Sequence, residues 1–577
     1  MKKRILAMLL CLCMFAALLS GCGQNAPADQ PANETAPADS STPEKPQGGS
    51  TENAPDGAPE TAAPKKHVDV LRIGTTYAND TFSVFSQGGA MGRVNYNCFV
   101  NLNFWAFDEN GQLSTDGCFF RSWEVSEDDT QLTLTYDLNG LNWHDGQPVT
   151  EDDILFTFDF WKAQNYPLFL HIEKVELRGD NTCVVTFDSK MAFSFMNQST
   201  LMYPIMPKHI WEGVEKPSDY DGEDRWIGCG PYKLVEIDMD AQVSYYESVG
   251  ENYPLGEITV DKVELHSFDN QASLIPAMLN DEIDVMYGYS SGLDTTLLPL
   301  IANDPNIDPG QSLNSATYQL MFGFNQYPTD QLPIRQAIAA ALDYEQLKAT
   351  LAGDYGMISS TGAVSPVCLG FDDTLPLNQR DLAKAAAILD EAGYLDLDGD
   401  GFRELPDGEQ MTIRIGLQAT NDIYKRNAEI ISTNLAQAGI RAVVDEETIS
   451  NADYRTSQRM NGEYDIWLSM TTVGMAVWGG VAHYAAAVTI TSGQRFGTYA
   501  DPEYLAAYDA MSESTNYDEY IAAFKDIQRM NSEAVPVIAF TIMSQFYPYR
   551  TDAIEGWTYY PAWGVINVDT WYNATAK

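Results

Sequence analysis

The chain has 577 residues, of which 45% are hydrophobic and 11% aromatic, so length and composition are those of a folded protein with two or more domains. Its 34 basic and 81 acidic residues give a formal net charge of −47. That charge repels nucleic acid phosphates and anionic lipids, so it argues against nucleic acid binding and favours a soluble exported protein.

The N-terminus has the pattern of an export signal. Three basic residues, 2–4, precede an apolar stretch, 5–19, that is too short to span a bilayer. The stretch ends in LSGC, which resembles the lipobox of bacterial lipoproteins, where small residues precede a cysteine that receives lipid. We therefore expect residues 1–21 to be a lipoprotein signal peptide and Cys22 to anchor the mature protein on the outside of the bacterial cell membrane. An ordinary secreted protein is the alternative.

The segment after Cys22 has nothing to bury, because residues 23–66 contain no aromatic residue and no Leu, Ile or Val. We predict that residues 22–66 form a disordered tether with a reach on the order of 35–40 Å. No later apolar run is long enough to span a membrane. The later cysteines form no CxxC or zinc pattern and leave disulfide pairing open: Cys98, Cys118, Cys183, Cys229 and Cys368.

The rest of the chain alternates strand-like and helix-like segments. β-branched runs between turn residues predict strands at 68–75, 132–138, 182–188 and 258–265. Apolar residues at helical spacing predict helices at 333–351, 380–393 and 423–439, with further strands at 411–418 and 440–447. This order of elements indicates an α/β protein.

The segment LNWHDGQPVTEDD, residues 141–153, places His144 among four carboxylates. Its Asp-Gly-Gln-Pro run predicts a turn. Thr150 then suits an N-cap, with Asp153 in the capping-box position and more acidic residues in the first helical turn. We therefore predict a structural role for this segment and no catalytic or metal site.

Five motifs, in order, resemble those of the family 5 extracellular solute-binding proteins, the peptide and nickel receptors of ABC importers. The motifs are NWHDGQPVTEDDILFTF (142–158), GCGPYKL (228–234), IRQAIAAALD (334–343), AAAILDEAGY (385–394) and AVPVIAFT (534–541). The resemblance extends from about Val68 to the C-terminus.

The resemblance implies an α/β fold of two lobes joined by a hinge, the periplasmic-binding-protein-like fold of type II in its three-domain variant. It places lobe I at 67–315, with an extra subdomain at about 116–224, lobe II at 316–535 and the return of lobe I at 536–577. The crossings are expected near 318–325 and 535–542. It also implies a monomer that captures a small ligand, most often a peptide, for the transmembrane subunits of an ABC permease, without catalysis or a required cofactor.

One position departs from the pattern of the family's peptide binders. In them, an aspartate in a loop after a strand of lobe II holds the α-ammonium group of the peptide. The matching segment, 464–484, has Gly474 near that position and no carboxylate after Asp465. Recognition of an ammonium group by that route is therefore in doubt, which leaves nickel chelates and short oligosaccharides as alternative ligands.

The same segment supplies three candidate ligand-binding residues. Trp478 suits an apolar wall, and Gly479 allows close approach of the backbone. His483 completes a W-G-x-x-x-H run that resembles the nickel-binding branch of the family, and neutral imidazole suits Ni²⁺. The alternative for His483 is a loop residue that binds no metal.

In lobe I, Tyr77 follows the first strand, where the family presents its first ligand loop. Trp105 and Tyr203 are candidates of the same kind. For all three, packing in the core is the alternative.

The segment DLDGDGFRELPD, residues 396–407, has the oxygen spacing of a calcium loop. The candidate ligands of a structural Ca²⁺ are Asp396, Asp398, Asp400, Glu404 and Asp407. A predicted strand follows where an EF-hand has a helix, so an Asp- and Gly-rich turn without metal is the alternative.

A remote alternative is a serine hydrolase. GYSSG, residues 288–292, satisfies G-x-S-x-G between a strand-like run and the helix-like segment 293–302. Ser290 would then be the nucleophile, with His483 as its base. No HGGG-like oxyanion motif precedes it, and the family pattern accounts for the same segment as an ordinary loop.

Overall fold

The computed structural model of the protein describes residues 65–79, 90–198, 203–288, 292–471, 485–487, 497–561 and 563–577. Residues 66–577 form one compact unit. Within the described ranges, no helix is both long enough and apolar enough to cross a bilayer.

In the described part of the chain, the strands are mostly short and belong to five sheets. They are β1 (Leu71–Thr75), β2 (Ala106–Phe107), β3 (Leu113–Ser114), β4 (Phe120–Val125), β5 (Gln131–Tyr136), β6 (Ile172–Arg178), β7 (Thr182–Phe187), β8 (Tyr232–Asp238), β9 (Val243–Ser248), β10 (Lys262–Ser267), β11 (Val285–Met286), β12 (Ile307–Asp308), β13 (Gln311–Leu313), β14 (Tyr318–Phe322), β15 (Gly356–Met357), β16 (Ile413–Leu417), β17 (Ala442–Val444), β18 (Ile466–Met470), β19 (Val537–Phe546), β20 (Tyr549–Arg550), β21 (Ile554–Glu555) and β22 (Thr575–Ala576).

The helices lie between these strands. They are α1 (Ala90–Val94), α2 (Glu151–Ala163), α3 (Pro167–Leu170), α4 (Ala192–Gln198), α5 (Lys208–Trp211), α6 (Gln271–Leu279), α7 (Leu332–Ala341), α8 (Tyr344–Ala352), α9 (Leu382–Glu391), α10 (Asp422–Ala436), α11 (Glu446–Ser450), α12 (Ala452–Asn461), α13 (Pro502–Ser512), α14 (Tyr517–Ala534) and α15 (Thr570–Asn573). Short 3-10 turns occupy 95–97, 217–219, 298–300 and 353–355.

The first large sheet has the strand order β12-β20-β11-β1-β10-β9-β8. Its centre is parallel, because β1 pairs in parallel with both β10 and β11. Leu71 and Ile73 on one face of β1 are fully buried, and Gly74 on the other face is also buried, as expected for a parallel strand that is covered on both faces. A Cβ at Gly74 would collide with Leu274 and Ile283, so glycine there lets α6 pack closely on the strand.

A four-stranded antiparallel sheet, β4-β5-β7-β6, adjoins the first large sheet. Alternate residues of β5, including Leu132 and Leu134, are buried, while their neighbours are exposed or half-buried. This face shares one hydrophobic core with the first large sheet and with helix α2, whose Ile154 and Phe158 are buried in it.

The second large sheet has the order β13-β19-β14-β18-β16-β17, with β15 also paired to β19. One face is covered by α7 and α10, with Leu320, Ile415 and Leu468 in the core. The other face presents Met321 and Trp467 to α13 and α14. Because both faces are covered, the central strands of this sheet are mostly apolar, and Gln319 and Ser469 are exceptions.

The capping box predicted before α2 is confirmed. The carboxylate of Asp153 accepts hydrogen bonds from the backbone N–H and the hydroxyl of Thr150, each at 2.8 Å. His144 is structural too: its Nδ1 accepts the N–H of Gly228 at 3.3 Å, and its Nε2 donates to the carbonyl of Gly230 at 3.0 Å. Burial lowers the pKa of His144 to about 4.

Two predicted helices are wrong in detail. The helix expected at 333–351 is divided into α7 and α8, because Leu342 is extended and Asp343 caps α8 by accepting the N–H of Gln346 at 3.0 Å. The helix-like segment 293–302 contains only the 3-10 turn at 298–300, which holds Pro299. The other predicted strands and helices are present within a few residues of the expected ends.

Candidate functional site

Tyr77 lies where two parallel strands of the first large sheet end. It follows β1, and its hydroxyl donates to the carbonyl of Gly288, just after β11, at 3.0 Å. The guanidinium carbon of Arg93 lies 5.4 Å from the centroid of the Tyr77 ring. Ligands of open α/β sheets bind beyond the carboxyl ends of parallel strands, so the half-buried Tyr77 occupies a position suited to ligand contact.

Two antiparallel segments connect the two large sheets. Residues 311–313 pair with 544–546, and residues 318–321 pair with 537–541, so the two segments run side by side for most of their length. The register shifts between Tyr318 and Gln319, which marks an irregularity in the pairing. The chain then continues from β19 into β20 of the first large sheet. We call these paired segments, 311–322 and 537–546, the connecting ribbon.

Uncharged polar side chains are buried on the connecting ribbon and on the adjoining strand β18. The amide nitrogen of Gln319 donates to the hydroxyl of Ser469 at 3.3 Å, whereas its carbonyl oxygen has no hydrogen-bond partner among the residues that the structure describes. The hydroxyl of Thr541 likewise has none. Both side chains are fully buried. A buried polar group without a partner costs free energy, so a water molecule or a ligand that reached these two groups would be stabilised there.

Tyr517 links helix α14, which packs on the second large sheet, to residues that lie around the first large sheet. Its hydroxyl accepts the backbone N–H of Leu113 at 2.9 Å and donates to Oδ1 of Asn197 at 3.1 Å. Its ring meets that of Phe193 edge-on, with centroids 5.2 Å apart. Burial raises the pKa of Tyr517 to about 12, so the phenol stays protonated and able to donate near neutral pH.

The other two predicted residues of lobe I lie in aromatic clusters. Trp105 is only 1% exposed, and its indole N–H donates to the carbonyl of Met196 at 3.0 Å, so the structure places it in the core. Tyr203 is half-buried, with its ring centroid 4.8 Å from that of Phe169 and 5.3 Å from that of Trp161. Burial raises the pKa of Tyr203.

Several predicted residues lie outside the described ranges. These residues are Cys22, Ser290, Trp478, Gly479 and His483. Their roles stay predictions.

The Asp-rich loop brings together three of the five predicted calcium ligands. One carboxylate oxygen from each of Asp396, Asp398 and Glu404 lies within 4.8 Å of the others. Asp400 instead pairs with Arg441, with an N–O distance of 2.7 Å. Asp407 is outside the group and accepts the N–H of Glu409 at 3.2 Å.

Several carboxylate oxygens of that loop accept hydrogen bonds from the loop's own backbone N–H groups. The two oxygens of Asp396 accept the N–H groups of Gly399 and Gly401, at 2.7 and 3.1 Å. The carboxylate of Glu404 accepts the N–H of Leu397 at 2.7 Å. These bonds are those of a tight turn, which carboxylates stabilise with or without a metal ion.

Sequence reasoning did not find the roles of Tyr517, Gln319 or Thr541. Tyr517 is the first residue of a helix with an acidic first turn and looks like an ordinary surface residue, since its partners lie more than 300 positions away. Gln319 and Thr541 stand out only as polar residues inside apolar strands, a signal that could have identified them.

Residues 118–478 match the family model described as "Bacterial extracellular solute-binding proteins, family 5 Middle". A relative in Agrobacterium fabrum, "Probable peptide-binding protein YejA", is 24% identical over 497 residues, covering 75% of this chain and 78% of that protein. This chain covers 65% of the length of the first curated relative and about half (53%) of the length of others.

Solved structures of similar fold include two with different ligands. The oligopeptide-binding protein AppA from Bacillus subtilis, in complex with a nonapeptide, superposes with a TM-score of 0.61 at 18% identity, covering 89% of this chain and 100% of that one. NikZ from Campylobacter jejuni, in complex with Ni(L-His), gives a TM-score of 0.62 at 20% identity with the same coverage. These similarities confirm the predicted two-lobed, periplasmic-binding-protein-like α/β fold.

Proposed function

Because the chain belongs to the bacterial extracellular solute-binding proteins of family 5, we propose that it is the receptor of an ABC importer. In this role it captures a small solute between its two lobes and delivers it to transmembrane permease subunits. No chemistry is performed on the solute. The match to the family model over 118–478 is the observation that carries the proposal.

The connecting ribbon supports a mechanism of capture by closure. A pair of strands that joins two separately packed sheets lets the lobes rotate while each core stays intact. A ligand that contacts both lobes stabilises the closed arrangement, because closure is favoured by the difference in its affinity for the two states. We infer that the contact of Tyr517 with Asn197 belongs to the closed arrangement and adds to its stability.

Peptides are the ligand class that we propose. The support is the peptide-binding description of a relative and the nonapeptide held by a protein of the same fold. The side-chain oxygens of Gln319 and Thr541, which have no partner within the described ranges, suit hydrogen bonds to the uncharged main-chain amides of a peptide.

A nickel chelate is the second candidate. The Ni(L-His) complex of NikZ shows that a protein of this fold holds a chelated metal ion. His483 would supply the imidazole ligand in this chain. A short oligosaccharide is the remaining alternative and rests on the aromatic content of the sequence.

We propose lobe I at 67–315 and 536–577, with the extra subdomain at about 116–224, and lobe II at 316–535. An extracytoplasmic location follows from the family. We propose that residues 1–21 direct export and that Cys22 is lipidated. Residues 22–66 then form a tether that holds the monomeric protein near the permease.

A thermal-shift screen tests the ligand class. A ligand that binds only the folded protein at 100 times its Kd adds about 2.7 kcal/mol to the free energy of unfolding. We expect peptide pools to raise the unfolding midpoint, and nickel with histidine or oligosaccharides to leave it unchanged. A shift with nickel and histidine alone would replace the peptide proposal, and the absence of any shift would contradict the receptor proposal.

Two variants refine the result. Trp478→Ala is expected to weaken peptide binding while leaving the unfolding midpoint of the free protein unchanged, and unaltered binding would remove Trp478 from the site. Ser290→Ala is expected to have no effect on ester hydrolysis. Hydrolysis that disappears with this substitution would instead support the hydrolase alternative.

A further inference from the structure

Two buried thiols face each other in the core of the first large sheet. Sγ of Cys98 lies 3.6 Å from Sγ of Cys118, and both side chains are fully buried. Cys98 follows the helical segment 90–97, and Cys118 stands just before β4. The structure describes five cysteines, and Cys98 and Cys118 are the two whose sulfurs lie in contact within the described ranges.

The backbone on both sides of this pair is held in place by the C-terminal segment. The indole of Trp571 donates to the carbonyl of Asn97 at 2.7 Å, which fixes the residue before Cys98. Gly117 has a φ of +65°, and a Cβ there would collide with Val568 and Tyr572. The two thiols are therefore held adjacent, and rotation about the Cα–Cβ bond of either cysteine changes the distance between the sulfurs.

We propose that Cys98 and Cys118 form a disulfide in the exported protein. The two thiols lose two protons and two electrons as the bond between their sulfurs forms. The oxidant is a disulfide, either of a thiol–disulfide oxidoreductase or of a small molecule, whose own S–S bond breaks to give two thiols. The extracytoplasmic location of the family is compatible with such a bond.

Exchange takes place while the chain folds, before the pair is covered. Burial, and next the adjacent Cys98, raise the pKa of Cys118 well above its usual value, so the thiol is protonated and unreactive once folding is complete. The bond joins residues 20 positions apart, at the junction between the first large sheet and the four-stranded sheet. It restricts the unfolded chain there and so stabilises this junction.

Peptide mapping tests the proposal. The full chain is purified without reductant from the extracytoplasmic fraction of the cells that produce it. The protein is denatured in the presence of an alkylating reagent, digested and analysed by mass spectrometry. We expect a cross-linked fragment that joins Cys98 to Cys118, two hydrogen atoms lighter than its reduced parts, while Cys183 and Cys368 are alkylated. Alkylation of both Cys98 and Cys118, or a cross-link from Cys98 to Cys229, would overturn the proposal.

Thermal unfolding supplies a second readout. Reductant is expected to lower the unfolding midpoint of the wild-type protein, and to have no effect on a Cys98→Ala, Cys118→Ala double variant. Cys183→Ala is the matched control, since this buried cysteine of β7 lies outside the pair, and it should keep the response to reductant. Equal midpoints for the wild-type protein with and without reductant would contradict a stabilising bond. These measurements need no ligand, so their outcome is independent of the proposed transport function.

Discussion

The phenol oxygen of Tyr517 lies 3.1 Å from Oδ1 of Asn197, and this hydrogen bond joins the first residue of α14 to α4. Helix α14 packs against the second large sheet, whereas α4 belongs to the core around the first. The bond therefore links the two sides of the molecule at a point away from the connecting ribbon. A contact of this kind stabilises whichever arrangement of the lobes contains it.

Tyr517→Phe removes this bond and also leaves the N–H of Leu113 without its partner. A lost hydrogen bond of this type weakens the closed arrangement by about 1 kcal/mol, which corresponds to a rise in ligand Kd of roughly fivefold. Titration calorimetry measures the change. Tyr454→Phe is the control, because the hydroxyl of Tyr454 donates to Asp445 and both residues lie next to the second large sheet. Equal Kd values for both variants and the wild-type protein would show that the Tyr517 bond makes no contribution to closure.

Arg335 is a buried cation that pairs with backbone carbonyls. Its guanidinium donates to the carbonyl of Ala534, the last residue of α14, at 3.0 and 3.1 Å, and to those of Thr329 and Asp330 at 3.1 and 2.7 Å. Its guanidinium carbon lies 4.4 Å from the centroid of the Phe324 ring. It therefore ties the end of α14 to the start of α7 and satisfies carbonyls at a helix C-terminus.

We expect Arg335→Met to lower the free energy of unfolding by about 3 kcal/mol, since it removes these bonds but keeps an apolar side chain. Urea denaturation measures the loss. Arg529→Met, on the exposed face of α14, is the matched control and should change nothing measurable. A loss in Arg335→Met no larger than in the control would contradict the structural role.

Because burial lowers the pKa of His144, we expect the free energy of unfolding to depend on pH. Its folded-state pKa of about 4 lies below its ordinary value of 6.5, because burial disfavours the charged form. Below pH 6.5 the unfolded chain binds a proton that the folded protein does not, so stability is lost as the pH falls from 6.5 towards 4. The loss is about 3 kcal/mol at most, since one pKa unit corresponds to 1.36 kcal/mol.

Urea denaturation between about pH 7.5 and about pH 4.5 measures this dependence. The variant His144→Gln is expected to be less stable than the wild-type protein at neutral pH and to lose less stability on acidification. His171→Gln replaces an exposed histidine and should keep the wild-type slope. The same slope in His144→Gln would show that His144 is not the group responsible.

Removal of calcium is expected to leave the unfolding midpoint unchanged. The carboxylates of Asp396 and Glu404 already accept backbone N–H groups, and Asp400 pairs with Arg441. Differential scanning calorimetry with and without a chelator tests this. A large fall in the midpoint that added Ca²⁺ reverses, and that Asp398→Asn abolishes, would show that the loop binds the ion.

Local chemistry made part of the fold predictable. The capping box of Thr150 and Asp153 needs only residues three positions apart, and the β-branched runs around β1 and β5 have the expected burial. The division of 333–351 was missed because the extended Leu342 is stabilised from outside the segment: the N–H of Asp343 donates to Asn434 at 2.7 Å. Helical spacing alone carries no information about such a partner.

Contacts that depend on tertiary packing, in the candidate site and outside it, were beyond prediction for the same reason. The contact of Tyr517 with Asn197 and that of Cys98 with Cys118 depend on tertiary packing and leave no periodic pattern. The position of Tyr77 was predictable, because it follows directly from the end of a central strand.

The central claim is that solute is captured between two lobes. Small-angle X-ray scattering tests it most directly. The full chain is measured with and without a peptide that raises its unfolding midpoint. Closure of the lobes around the ligand predicts a smaller radius of gyration at saturating peptide, and a smaller decrease in Tyr517→Phe under the same conditions. An unchanged radius of gyration in the wild-type protein at saturation would contradict capture by closure.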